Sequence, residues 1–153
     1  MQAQGLSIRD AAAADAPALA ALSSQLGYPV AVDALAGRLA RILARADQIV
    51  LVACAGGREV AGWIHAAEQE MLESDRRCEI LGLVVDQRRR RLGIGRHLVA
   101  AVERWASSRG LGGMSVRSNI VRAESHPFYE RLGYERTKTQ HVYRKRLAGP
   151  GAA

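Results

Sequence analysis

The residues best suited to chemistry lie together at 83–98, LVVDQRRRRLGIGRHL. There an apolar run meets four consecutive arginines, then Gly93-Ile94-Gly95, then an amphipathic helix. The first turn of a helix has backbone N–H groups without intrahelical partners and carries the positive end of the macrodipole. Glycines at that point remove the Cβ atoms that would hold a phosphate away from those donors. Strand, basic turn, glycines and helix in that order make a seat for an anion, and a pyrophosphate-bearing cofactor suits it. Two common phosphate loops do not match. A nucleoside triphosphate P-loop ends in Gly-Lys-Ser/Thr, whereas Gly95 is followed by Arg96-His97. A dinucleotide fingerprint needs a third glycine, and Leu98 stands there.

A third design fits. Arg90-Arg91-Leu92-Gly93-Ile94-Gly95 resembles, position by position, the acyl-CoA loop Gln/Arg-x-x-Gly-x-Gly/Ala of the GNAT N-acetyltransferases. A second segment, Ser118-Asn119 followed by Ala123-Glu124-Ser125-His126-Pro127-Phe128-Tyr129-Glu130-Arg131-Leu132-Gly133-Tyr134, is similar to that family's pattern Asn…Ala…Phe-Tyr-Glu-x-x-Gly-Phe/Tyr. The resemblance extends over residues 6–147, with these two blocks as its distinctive parts. It implies an α/β (α+β) GNAT fold, with a central mixed, mostly antiparallel twisted sheet of six to seven strands flanked by about four helices. It implies a single acetyltransferase domain over 1–147 and a disordered C-terminal tail at 148–153. The implied activity moves an acetyl group from acetyl-CoA, a cosubstrate, to a primary amine by direct attack in a ternary complex. The other reading is a non-catalytic acyl-CoA-binding or sensing module on the same fold. That module would keep Gly93 and Gly95 without needing Tyr129 or Glu79.

The resemblance also assigns roles. The backbone N–H groups of Arg91, Gly93, Gly95 and Arg96, in the turn around Ile94, would face the cofactor pyrophosphate. Arg90 takes the leading Gln/Arg position, and Arg91 stands where many members have glycine. Each charge-assisted contact is worth about 1.5–3 kcal/mol. Leu83, Val84 and Val85 would offer main-chain partners to the pantetheine arm, and Asn119 matches a cofactor-contacting asparagine. Gly82 suggests a bulge or a close backbone approach in that strand.

Tyr129 stands at the family's general-acid tyrosine; a phenol of pKa about 10 is protonated at neutral pH and can donate to the departing thiolate. Glu79 is the base expected to take the ammonium proton, with His126 or a water chain as its rivals. Arg88 and Arg89 are equally well explained as a solvated basic face. Cys78 lies beside Glu79, but no Cys-His-acid arrangement accompanies it. By analogy Gly27-Tyr28-Pro29 would wall one side of the acceptor pocket, with Glu68, Glu70, Glu73 and Asp75 on the other. Aminoglycoside, polyamine, amino-acid and protein amines all remain open as acceptors.

Several elements must position these groups. Residues 6–9 form a first strand. Asp15 is placed to cap a helix with Pro17 in its first turn and Leu19, Leu22 and Leu26 along one face. Asp33 is placed to cap a second helix carrying Leu35, Leu39, Ile42 and Leu43. Strands over 49–55 and 59–67 flank the turn Gly56-Gly57-Arg58. A polar loop at 70–75 precedes a strand over 77–85. The helix after Gly95 buries Ile94, Leu98, Val102 and Trp105, a strand follows at 114–117, and a short helix starts near 123–124 because Pro127 must lie in its first turn. Gly133 ends that helix, and 134–138 with 142–147 are expected to complete the sheet as a pair.

Composition narrows the partners. The 153 residues carry a net charge of +7, and removing the five arginines at 88–91 and 96 leaves +2. The excess is concentrated at the loop rather than spread along a face, and aromatics make up only 5%. That pattern favours a phosphorylated small molecule over specific nucleic-acid binding, which wants stacking residues. Hydrophobic residues at 48% support a core without metal or disulfides. Cys54 and Cys78 lie in apolar runs and are expected to be reduced, buried thiols. No signal-like start and no apolar run near the ~20 residues of a membrane span is present. The expectation is a cytoplasmic enzyme without a metal, with a small-molecule or peptide amine as substrate and a homodimer as the family-level assembly.

Overall fold

Three long strands at 48–55, 59–71 and 74–85 organise the chain. The protein is represented by a computed structural model that describes residues 5–89, 92–118 and 125–149. These divide into two compact units, one ending at Arg117 and one beginning at Ser118.

The first unit holds one sheet, in which β1 (Ser7–Asp10), β2 (Gln48–Ala55), β3 (Glu59–Met71), β4 (Ser74–Val85) and β5 (Met114–Val116) lie side by side in chain order. Neighbours are antiparallel except β4 and β5, which run parallel. Helices α1 (Ala16–Gln25) and α2 (Val32–Leu43) cover one face. There Ala16, Leu19 and Leu39 pack on Val50, Val52 and Cys54, with Trp63 against the cluster. Helix α3 (Ile94–Ser108) covers the other face and buries Ile94, Leu98, Val99 and Val102. Gly62 lets it sit close: a Cβ there would stand 3.2 Å from Ile94 and 3.3 Å from Leu98. The second unit contains α4 (Ser125–Arg131), closed by Gly133 at φ 91°.

Several expectations are corrected. Asp15 precedes α1, but its carboxylate makes no cap bond to the helix. It accepts from Ala12 N at 2.7 Å and from Arg9 Nη1 and Nη2 at 2.8 and 2.9 Å. Asp33 lies inside the first turn of α2, behind an N-cap at Ala31. The polar stretch at 70–75 is the tip of a long hairpin, because ladder pairing continues to Met71 opposite Ser74. The sheet has five strands among the described residues, fewer than the six to seven expected. No strand forms over 134–149. Val142, Tyr143 and Leu147 are exposed there; alternation specifies a strand only when one face is buried.

Candidate active site

The site is built along β4. On one side its whole length pairs with β3, ending with Leu83 opposite Ile64, Val84 opposite Trp63 and Val85 opposite Gly62. On the other side β5 reaches only Cys78, Glu79 and Ile80. Among the described residues, the β5-side edge of Leu83, Val84 and Val85 therefore has no strand partner. Backbone groups on such an edge want hydrogen bonds. The pairing with β3 slips where β5 ends: His65 faces Gly82 while Ala66 faces Ile80, so Leu81 is an extra residue in β4. The bulge expected at Gly82 is present one residue earlier. Gly82 itself answers to packing, since a Cβ there would meet the Trp63 indole at 2.9 Å.

Beyond β4 the chain turns through 87–89 into the arginine loop. Gly93 is the N-cap of α3 with φ 78°, a left-handed conformation that L side chains adopt only under strain. No acidic residue lies in the first turn of α3 and no side chain caps it. The N–H groups around Ile94, Gly95 and Arg96 thus keep an uncompensated positive field. The His97 ring bonds the Gly93 carbonyl through Nδ1 at 2.6 Å, and His97 N donates to the same oxygen at 3.0 Å. Arg96 is exposed, with Nη2 3.3 Å from where a Cβ on Gly93 would stand. Arg90, Arg91 and Asn119 lie outside the described residues.

The start of the loop is held by Asp86, which is 1% exposed. Its Oδ1 accepts from Arg88 N at 3.0 Å and from Gln25 Nε2 at 3.4 Å, and its Oδ2 pairs with Arg88 Nη2 at 3.0 Å. These partners, Arg88 foremost, hold its carboxyl below the usual range despite burial. Gln25, the last residue of α1, also accepts from Gln87 N at 3.0 Å through Oε1, and its carbonyl accepts from Gln87 Nε2 at 3.0 Å. Arg89 pairs with Glu59 at 2.7 Å, and Arg88 reaches the same carboxylate at 3.5 Å. Two of the loop's arginines are thus matched by protein carboxylates.

Glu79 lies on the α1–α2 face of the sheet. Its side chain is 13% exposed, with Arg117 Nε at 3.9 Å and Ser115 donating to Oε1 at 3.5 Å. Its neighbour Cys78 faces α3 and is buried, and burial with the Glu79 charge pushes its thiol up to about 11. Such a thiol stays protonated and is a poor nucleophile. Cys54 is also buried and free.

Glu68 does not wall an acceptor pocket, because strand parity turns it to the α3 face. There Arg109 binds it at 2.9 and 3.1 Å and Arg76 pairs with it as well. Glu70, Glu73 and Asp75 are exposed near the hairpin tip, and Tyr28 is exposed after α1. On the face shared with Glu79, His65 bonds Gln48 Oε1 at 2.7 Å, and burial lowers its pKa so that the imidazole is neutral.

In the second unit, α4 carries both His126 and Tyr129, three residues apart on one helical face. The Tyr129 ring is T-shaped against Phe128 at 5.0 Å and Tyr134 at 5.8 Å. Burial pushes its phenol above 10, so it stays protonated across neutral pH.

The sequence reasoning missed Asp86, Gln25 and His97. Asp86 and His97 had local signals: a carboxylate two residues before arginines at a strand end, and a histidine four residues after a helix-capping glycine. Gln25 is 61 residues from Asp86 and had none.

Among the described residues, a strand edge without a partner thus leads to a helix start that no side chain caps. Residues 18–134 match the acetyltransferase (GNAT) family. The chain belongs to this family and is an N-acetyltransferase. It is 29% identical over 151 residues, 96% of this chain and 97% of the relative, to aminoglycoside N(6')-acetyltransferase type 1 of Stenotrophomonas maltophilia. The structure of aminoglycoside antibiotic 6'-N-acetyltransferase AAC(6')-Ih from Acinetobacter baumannii is similar, with TM-score 0.83 at 20% identity over 94% of this chain and all of that one. The aminoglycoside N-acetyltransferase AAC(6')-Iy, solved with CoA, superposes with TM-score 0.82 at 25% identity over 93% of this chain and 95% of that one. The same enzyme with the bisubstrate analogue CoA-S-monomethyl-acetylneamine gives TM-score 0.81 over 93% and 99%.

Among the described residues, no helix is long and apolar enough to cross a membrane. None of their His, Cys, Asp and Glu side chains gather in threes to hold a metal ion.

Proposed function

We propose that residues 1–147 form one acetyl-CoA-dependent domain that passes an acetyl group to a primary amine by direct attack within a ternary complex. The observation that carries this reading is that, among the described residues, the edge of β4 at 83–85 has no strand partner and the start of α3 at Gly93 has no side-chain cap. The edge offers main-chain partners to the amide-bearing pantetheine arm. The helix start, with Arg90, Arg91, Ile94, Gly95 and Arg96, receives the pyrophosphate, and Asn119 supports the cofactor from the segment after β5. Glu79 takes the ammonium proton, directly or through water, and its few, long contacts leave lone pairs to do so. The amine nitrogen attacks the thioester carbonyl and the C–S bond breaks. Tyr129 gives its proton to the departing CoA sulfur.

For the acceptor, we propose an aminoglycoside-like small molecule bearing several amines. The support is the activity of the Stenotrophomonas maltophilia relative and of AAC(6')-Iy. The test is thiol release from acetyl-CoA, varied at several fixed concentrations of an aminoglycoside with a free 6'-amine. Intersecting reciprocal plots support direct attack. Parallel plots would contradict it, and binding of acetyl-CoA without thiol release across an amine panel would turn the reading to an acyl-CoA-binding module.

A further inference from the structure

We infer that Asp86 is a positioning residue for the acetyl-CoA phosphates, holding the entry to the arginine loop and, through Gln25, tying that entry to the end of α1. The inference deepens the proposed function and rests on acetyl-CoA occupying the loop.

The loop has two ends, and each is fixed differently. At the exit, Gly93 and His97 set the start of α3. At the entry the chain leaves the sheet, where Asp86 N makes its last ladder-like bond to Ala61 O at 2.8 Å. From there the backbone is held by one carboxylate. Asp86 receives the Arg88 N–H and guanidinium, and Arg89 Nε lies 3.9 Å from it. A buried carboxylate is retained at a cost unless it is paired and hydrogen-bonded, and here it is both.

Gln25 then ties Asp86 and Gln87 to α1: its side-chain amide donates to Asp86 and accepts from Gln87 N, and its main-chain carbonyl accepts from Gln87 Nε2. None of these groups needs to touch the cofactor. Their effect is to fix the backbone at 86–89 where the chain leaves the sheet for the loop. Asp86 and Glu59 also engage the guanidinium groups of Arg88 and Arg89.

The test measures acetyl-CoA affinity by calorimetry and the kinetic constants in the wild type, Asp86→Asn and Gln25→Ala. Asparagine keeps the side-chain shape but loses the charge, so about tenfold weaker acetyl-CoA binding and a matching rise in KM for acetyl-CoA are expected. At saturating acetyl-CoA, kcat should stay within about twofold of the wild type, a split that general destabilisation would not produce. Gln25 is exposed, so its alanine variant folds even where a core substitution fails, and about threefold weaker binding is expected. A folded Asp86→Asn protein with wild-type affinity would overturn the inference. If Asp86→Asn does not fold, unchanged affinity in Gln25→Ala would overturn it. Absent binding in the wild type would instead refute the cofactor reading itself.

Discussion

Glu79 and Asp86 are carboxylates seven residues apart, one within β4 and one just past its end, and they have opposite surroundings. Asp86 is buried and receives bonds from a backbone N–H, an amide and a guanidinium. Glu79 faces the α1–α2 side with one hydroxyl at 3.5 Å and one guanidinium at 3.9 Å. The first has little capacity left to exchange a proton and is suited to holding a backbone. The second, among the described residues, has only these long contacts and is the better placed of the two to accept one. Asp86's value is depressed, so its contribution to stability is fully present above about pH 4, its unfolded value. That contribution disappears only as pH falls through the lower folded value. Between pH 5 and 9 the anchor is constant, and an acidic limb in the rate must come from another group.

If the comparison holds, substitutions on the chemistry side act on kcat and those on the loop side act on acetyl-CoA affinity. The largest effect should come from Tyr129→Phe, with kcat lower by about a hundredfold and calorimetric affinity for acetyl-CoA within about twofold. Burial has raised the phenol, so the wild-type rate should show no falling alkaline limb from this group below pH 10. Glu79→Gln should cost kcat about thirtyfold. An unchanged kcat would move the base to His126 or to water.

Gly93→Val forces a β-branched residue to φ 78°, and about 1–3 kcal/mol of strain should weaken acetyl-CoA binding by roughly ten- to a hundredfold. Survival of tight binding would break the assignment of the loop. Smallest in its bearing on catalysis is Gly82→Ala, whose Cβ would press the Trp63 ring. It should lower stability by about 1–3 kcal/mol, seen as a lower Tm.

The loop was legible because its physics is local. Glycine at a left-handed helix start, a missing cap and clustered arginines are all visible within 83–98. The bulge was legible from Gly82, although the glycine proved to serve the Trp63 indole, a residue 19 positions away and invisible to a local reading. Glu68 was misplaced for a related reason. Alternation along β3 puts it on the same face as Ile64 and Ala66, which its polarity alone does not show. The polarity of 70–75 points to a loop, whereas cross-strand pairing reaches Met71 opposite Ser74. The pair of strands expected at 134–138 and 142–147 does not form, and their apolar residues Val142, Tyr143 and Leu147 are exposed, with no buried face to fix a register. Gln25 could not be found because its partners are distant in sequence.

The measurement closest to the central claim is a calorimetric titration of the folded protein with acetyl-CoA at roughly physiological salt, repeated with CoA lacking its 3'-phosphate. Saturable one-to-one binding of acetyl-CoA, weakened for the dephosphorylated form, is the predicted result. A folded protein that takes up neither ligand would contradict the account and leave the arginine loop to another anion.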